Sequence, residues 1–172
     1  YFERLMRDEI ALLQNSQRTV KAWNLDRAWV RGSELRVFLS RALPARSRLE
    51  LKAHGTSQLG RDVGKSRTYR GKRLPNLPLR EGYLELRASR GTHSVAWEAT
   101  ARSATFRDRY NTRAKRTPGS TLHDARFEES LFGRRARLCF GVDNLFDRRA
   151  EDLDGFPLPG RSYSTEVSFT WR

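Results

Sequence analysis

The chain has 172 residues, with 34 Lys and Arg against 20 Asp and Glu, so its formal net charge is +14 at pH 7. Apolar residues make up 37%, and no run approaches the roughly 18 apolar residues that a membrane-spanning helix needs. A single cysteine, Cys139, excludes an internal disulfide and a cysteine metal cluster. These totals leave open a polyanion-binding domain and a membrane β-barrel, in which only alternate residues of a strand are apolar.

A two-residue alternation of apolar and polar side chains runs through the chain and predicts an all-β, antiparallel fold. In "SRLELKAH", for example, Leu49, Leu51 and Ala53 share one face, and charged residues occupy the other. Gly32 interrupts one such pattern and is a candidate bulge. Eight strands are expected, at residues 1–12, 26–40, 47–57, 79–89, 93–106, 120–131, 135–147 and 161–172.

The connections between these strands alternate in length. The long ones span 13–25, 58–78, 107–119 and 148–160, and the short ones are "RALPAR", "SRGT" and "FGRR". A soluble antiparallel sandwich also alternates along its strands, but it has no reason to sort its loops in this way. An outer-membrane barrel does, because its periplasmic turns are short and its extracellular loops are long. On this hypothesis the uncharged faces contact lipid, the ionic faces line a wet interior, and Trp97, Tyr163 and Trp171 belong to the aromatic girdle.

Motifs for other chemistry are weak. "GRDVGKS" has three residues between Gly60 and Gly64 where a phosphate-binding loop needs four, and no helix pattern follows. His123 and Asp124 are adjacent and therefore point to opposite faces of a strand. The arginines are spread along the chain and interleaved with acidic residues, whereas a nucleic-acid surface concentrates them beside stacking aromatics. We predict no enzyme, no cofactor, no metal site and no nucleic-acid partner.

The segment "VDNLFDRRAEDLDGFPLPGRSYSTEVSFTW", residues 142–171, resembles the end of TonB-dependent outer-membrane receptors. "VDNLFDR" is similar to their penultimate strand entering the last extracellular loop, and "SYSTEVSFTW" to their final strand, whose terminal aromatic the barrel-assembly machinery recognises. Arg172 departs from the family, which usually ends at that aromatic. "NLDRAWVRGSELRV", "GKRLPNLPL" and "STLHDARFEE" extend the resemblance upstream. The residues of the C-terminal motif are Gly155, Pro157, Pro159, Gly160, Arg161, Phe169 and Trp171.

The resemblance implies that residues 1–172 form the C-terminal barrel segment of such a receptor, about eight of roughly 22 strands, with the plug domain outside this sequence. It implies an outer-membrane location in a Gram-negative bacterium and TonB-energised uptake of a bulky nutrient, most commonly a ferric siderophore. The implied partners are membrane lipid, lipopolysaccharide, the TonB system acting through the plug, and the transported ligand.

Candidate ligand-binding residues crowd two of the long loops, where arginines suit an anionic ligand. They are Arg67, Tyr69, Arg70, Lys72, Arg73, Arg107, Arg109 and Tyr110. The same side chains would serve equally to face lipopolysaccharide or solvent. Two other classes of protein remain open at this point: a self-contained eight-stranded outer-membrane barrel with a structural or adhesion role, and a soluble basic β-domain that binds polyanions.

Overall fold

The computed structural model describes residues 1–14, 19–153 and 155–170, and within them the fold is all-β. The strands are β1 Phe2–Gln14, β2 Val20–Leu43, β3 Ser47–Asp62, β4 Arg80–Arg90, β5 His93–Arg102, β6 Thr105–Phe106, β7 Arg116–Thr117, β8 Ser120–Leu131, β9 Ala136–Asp143, β10 Glu151–Leu153, β11 Phe156–Pro157 and β12 Ser162–Phe169. A 3-10 turn at Phe132–Arg134 links β8 to β9. No helix among these residues is long and apolar enough to cross a bilayer.

Eight of the described strands form one antiparallel sheet in the order β1-β2-β3-β4-β5-β8-β9-β12. Every neighbour in this sheet is also the next long strand along the chain, so the topology is a simple meander. The remaining strands form two small ribbons, β6–β7 and β10–β11, inside the connections. The predicted antiparallel all-β fold is confirmed.

The prediction of a long loop at residues 13–25 is wrong. β1 and β2 stay paired as far as Gln14 and Val20, so only residues 15–19 separate them. The sequence obscured this pairing because the segment lacks a clean alternation: Leu12 and Leu13 are adjacent, and so are Ala22 and Trp23. The other three long connections exist, at 63–79, 103–119 and 144–161.

Apart from the connection at 15–19, the connections of the main sheet are sorted by length between its two ends. The short connections 44–46, 91–92 and 132–135 all lie at one end, because every second turn of a meander does so. We call this end, comprising residues 40–48, 89–93 and 130–137, the short-turn edge. The three long connections lie at the opposite end, which we call the long-loop edge.

The register aligns the apolar residues of successive strands into one continuous face, the apolar face. Directly opposed residues form the row Leu39, Leu51, Leu86, Trp97, Ala125, Val142 and Tyr163. Its side chains are open to the surroundings: 67% of Leu35 and 55% of Val95 are exposed. Within the described residues, therefore, the apolar stripes do not meet each other in a packed core.

The opposite face of the sheet carries ionic side chains that bond to one another. Glu85 is only 6% exposed and accepts hydrogen bonds from Lys52 Nζ (3.2 Å), Arg87 Nε (3.1 Å) and the Tyr83 hydroxyl (3.0 Å). Arg87 continues to Glu128 at 3.1 Å, which joins β4 to β8 across β5. Charge is therefore buried and apolar surface is exposed, the reverse of a water-soluble sheet.

Gly32 does not mark a bulge. Its register with Phe2 on β1 and Gln58 on β3 is continuous with that of its neighbours. A Cβ atom at this position would lie 2.5 Å from the Ser57 carbonyl oxygen and 2.7 Å from the Phe2 ring. The glycine is explained by close packing rather than by an extra residue in the ladder.

Replacing Glu85 by Gln tests the ionic face. Lys52 and Arg87 would lose their shared carboxylate, and we expect the free energy of unfolding to fall by about 2–3 kcal/mol. Glu81→Gln is the matched control: Glu81 lies on the same strand and face, is exposed, and makes no ion pair among the described residues. Urea unfolding followed by tryptophan fluorescence measures both variants, and equal losses would contradict a special role for Glu85.

Candidate ligand-binding loops

The loop at residues 63–79 folds back onto the strands from which it emerges. The Gly71 amide donates to the Asp62 carbonyl (2.7 Å), and the Leu74 amide donates to the Gly60 carbonyl (3.0 Å). Leu74 is buried with Ala28 and Val30 of β2. The loop is thus held by backbone bonds at its stem and by an apolar cluster beneath it.

The loop at residues 103–119 is bonded side by side to the first. Asn111 accepts from the Arg73 amide at 2.7 Å and donates to the Arg73 carbonyl at 3.0 Å, which imitates a pair of strand bonds. The Asn76 amide also donates to the Phe106 carbonyl at 2.8 Å. The two candidate loops therefore form one unit, which we call the loop platform.

A buried ion pair lies at the centre of the loop platform. Arg109 donates to the Asp62 carboxylate at 2.7 Å, and the two side chains are 12% and 5% exposed. The Arg109 guanidinium also lies 3.9 Å from the centre of the Tyr69 ring. Tyr69 in turn donates to the Tyr110 hydroxyl at 3.1 Å. Asp62 therefore ties the end of β3 to the neighbouring loop.

The electrostatics of the loop platform reflect this packing. The hydrogen bond to Tyr110, aided by burial, raises the pKa of Tyr69 above its usual value. Burial, followed by repulsion from Arg116, lowers the pKa of Arg73. Arg73 and Arg116 both lie over the Phe106 ring, at 5.2 and 5.5 Å from its centre.

The predicted site residues therefore fall into two groups. Tyr69, Arg73, Arg109 and Tyr110 make the contacts that hold the two loops together. Arg107 is half-buried and, with Tyr69, borders a small cavity of about 90 Å³. Arg67, Arg70 and Lys72 are exposed and make none of these side-chain contacts, while Tyr110 is exposed as well as bonded.

Sequence reasoning missed the acceptors on which the loop platform depends. Asp62 lies at a strand end and Asn111 in the middle of a loop, and neither belongs to a motif. Their partners are 47 and 38 residues away in sequence, so no local pattern could reveal them. Asn111 has a positive φ of 59°, and an Asn in a loop between turn residues is the weak signal that was available.

The third long connection, 144–161, contains the family-like motif. Asn144 is buried, and its amide nitrogen donates to the carbonyls of Arg148 (2.9 Å) and Pro159 (3.2 Å). The Asp147 carboxylate accepts from the Arg161 amide at 2.9 Å. Side chains that follow β9 thus organise the entry into β12.

The C-terminal motif residues fall at defined places in this region. Gly155 has a φ of 76° in the turn between β10 and β11, a conformation that favours glycine. Pro157 ends β11, and Pro159 and Gly160 precede β12. Phe169 is the last residue of β12, and Trp171 lies outside the described residues.

Two adjoining cavities lie at the long-loop edge and were not predicted. One, of about 540 Å³, is bordered by Arg148, Arg149 and Glu151. The other, of about 410 Å³, is bordered by His54 and other residues of β3, β4 and β5, and the two share Ser120 and Leu158. In the described part of the chain, no group of three or more His, Cys, Asp or Glu side chains is placed to bind a metal.

Comparison with solved structures identifies the fold. The copper transporter OprC superimposes with a TM-score of 0.70 at 21% identity, over 98% of this chain and 27% of that one. The ferric yersiniabactin uptake receptor FyuA from Yersinia pestis gives 0.68 at 20% identity, over 96% and 24%. The siderophore receptor PiuA from Acinetobacter baumannii gives 0.69 at 20% identity, over 92% and 24%.

The chain has the fold of a TonB-dependent receptor barrel. It spans about a quarter of the length of these receptors. No family model matches the chain. No curated protein sequence matches it either.

Replacing Asp62 by Asn tests the loop platform. It would leave the buried Arg109 guanidinium without its counter-charge, and we expect a loss of about 3 kcal/mol in local stability. Limited trypsin digestion should then cut the 63–79 loop much faster than in the parent. Asp152→Asn is the control, because Asp152 forms a more exposed pair with Arg102. Similar cleavage rates in the two variants would show that the Asp62–Arg109 pair does not hold the loops.

Proposed function

We propose that the chain is the C-terminal β-barrel segment of a TonB-dependent receptor in the outer membrane of a Gram-negative bacterium. The whole protein would bind a bulky nutrient in its outer loops and take it up with energy delivered by TonB through a plug domain. The observation that carries the proposal is the sheet itself, which exposes an apolar face and carries paired charges, with Glu85 buried, on the other, in the receptor-barrel fold.

The dimensions of the apolar face support a membrane location. On β4, Arg80 and Arg90 bound this face, and Gly82, Leu84, Leu86 and Ala88 between them are uncharged. From Arg80 to Arg90 there are ten residue steps of about 3.4 Å each. In a strand tilted by about 40° they span a height of about 26 Å along the membrane normal. That height matches the roughly 25 Å apolar band of an outer-membrane barrel.

The edges of the sheet favour a segment of a larger barrel over a self-contained eight-stranded one. Among the described residues, β1 pairs with β2 alone and β12 with β9 alone, so the sheet does not close on itself. Two open edges suit continuation of the ladder by further strands on both sides. The resemblance of residues 142–171 to the end of the family supports β12 as the last strand of the barrel in this proposal.

A soluble basic β-domain is the weaker alternative. Such a domain would cover its apolar faces, yet Leu39 is 59% exposed and Tyr163 73% exposed. The many apolar residues exposed on one face are more than a water-soluble monomer ordinarily shows. No feature favours an enzyme, and the solved relatives in fold are transport receptors.

For the ligand, we propose a ferric siderophore or a similar anionic metal complex. Two of the structures with this fold are described as a siderophore receptor and a ferric yersiniabactin uptake receptor. The exposed cations of the loop platform, Arg67, Arg70 and Lys72, could bind such an anion by charge-assisted hydrogen bonds. Contact of the same residues with lipopolysaccharide is the competing role.

The test is ligand binding to the full protein carrying Arg67→Gln, Arg70→Gln and Lys72→Gln. These substitutions spare the Asp62–Arg109 pair, and we expect affinity for a ferric siderophore to fall at least about tenfold. The control variant removes three exposed arginines from β1 and β2: Arg7, Arg27 and Arg36. Unchanged affinity in the loop variant, or an equal loss in the control, would reject these residues as the ligand site.

A further inference from the structure

The net charge of the chain is concentrated at the two ends of the sheet. The short-turn edge, residues 40–48, 89–93 and 130–137, contains seven arginines and no Asp or Glu, and the carboxylates at its margin are Glu129, opposite His93, and Glu50, opposite Ser40. The three long connections contain 13 Lys and Arg against five Asp and Glu. The remaining residues hold 14 basic and 15 acidic side chains, so they are close to neutral. The excess thus belongs to specific surfaces.

The arginines of the short-turn edge are available to a partner. Arg48 approaches Glu50 at 3.9 Å. The other described members of the set are exposed and form no ion pair within the described part of the chain. They are Arg41, Arg46, Arg90, Arg135 and Arg137. Five like charges at one edge of a sheet repel one another unless an anion lies among them.

Two of these arginines lie on the apolar face itself. Arg41 is directly opposite Leu49, and Arg90 is directly opposite Ser47 and His93, on the side of the sheet that carries Leu51 and Leu86. They mark the lower boundary of the uncharged band. A partner that touched only the tips of the turns would not require cations at this position.

Exposed apolar side chains accompany the arginines. In the 3-10 turn, Phe132 is 76% exposed, and Leu43 and Leu131 beside the turns are 42% and 37% exposed. Aromatic and aliphatic groups interleaved with arginines are typical of a surface that lies at the boundary between headgroups and acyl chains. The apolar band therefore runs without interruption into the basic edge.

We propose that the short-turn edge binds the headgroups of anionic glycerophospholipids in the membrane leaflet on that side. This inference rests on the proposed membrane insertion and specifies a lipid partner for one edge. Arginine guanidinium groups match phosphate geometry by paired N–H donors. Phe132 and Leu43 would enter the adjoining acyl region while Arg41 and Arg90 reach the phosphates from the apolar face.

The experiment uses the full protein in nanodiscs of equal parts phosphatidylcholine and phosphatidylglycerol. The discs are then dissolved in mild detergent, and the amounts of phosphatidylcholine and phosphatidylglycerol that remain bound to the protein are measured. We expect phosphatidylglycerol to be enriched in the parent, and each Arg→Gln change at Arg41, Arg46, Arg90 or Arg135 to lower its affinity by about fivefold at low salt. Arg→Lys changes should retain part of the enrichment, since the charge is kept but the paired N–H donors are lost.

The control removes five exposed charges from the long-loop edge: Arg67, Arg70, Lys72, Arg113 and Arg148. An equal loss of bound phosphatidylglycerol in this control would show that lipid binding depends only on the net charge of the protein. That result would overturn the inference. Insertion into discs of phosphatidylcholine alone is scored separately by strand content and protease protection. Insertion without any preference for phosphatidylglycerol would reject the lipid site and point to an acidic protein partner, whereas failure to insert would reject the proposed function.

Discussion

The strand register is the constraint on which the rest of the structure depends. A β-strand turns every second side chain to the same face, so one residue of slippage would exchange the two faces of a strand. Leu51, Leu86 and Trp97 are directly opposed across three strands, and so are the polar residues Lys52, Glu85 and Glu98. A uniform register therefore creates a continuous apolar face and a continuous ionic face at once.

The ionic face explains how this sheet can hold buried charge. Glu85 is nearly inaccessible, yet each of its oxygens has a donor, from Lys52, Arg87 or Tyr83. A carboxylate is costly to remove from water unless it is paired and hydrogen-bonded. Because one donor comes from the adjacent strand β3 and two come from its own strand, the network also supports the register that brings them together. Electrostatics and register thus support each other.

Sequence reasoning predicted most of the main sheet because its signal is local. The alternation in "SVAWEATAR" predicts β5, and the Pro and Gly residues before "SYSTEVSF" predict where β12 begins. It failed at the first hairpin, where apolar residues occur on both faces of the strands and the alternation disappears. It also failed at the loop platform, whose Asp62–Arg109 pair joins residues far apart in sequence. The residue composition of the loops predicted that they are cationic. Only the structure shows that Arg109 is paired and that Arg67 is exposed.

The basic excess follows from the same geometry. Within the sheet, a cation on the ionic face is balanced by carboxylates of its own strand or of a strand close by, as Arg87 is by Glu85 of β4 and Glu128 of β8. On the apolar face no charge is tolerated within the central band, so cations are confined to its boundaries, where Arg41 and Arg90 lie. At the sheet ends the opposed residues supply no carboxylate, since Arg41 faces Leu49 and Arg90 faces Ser47 and His93, and an excess of arginine persists. A high isoelectric point in this chain is therefore a property of its two edges, and it requires no nucleic-acid surface.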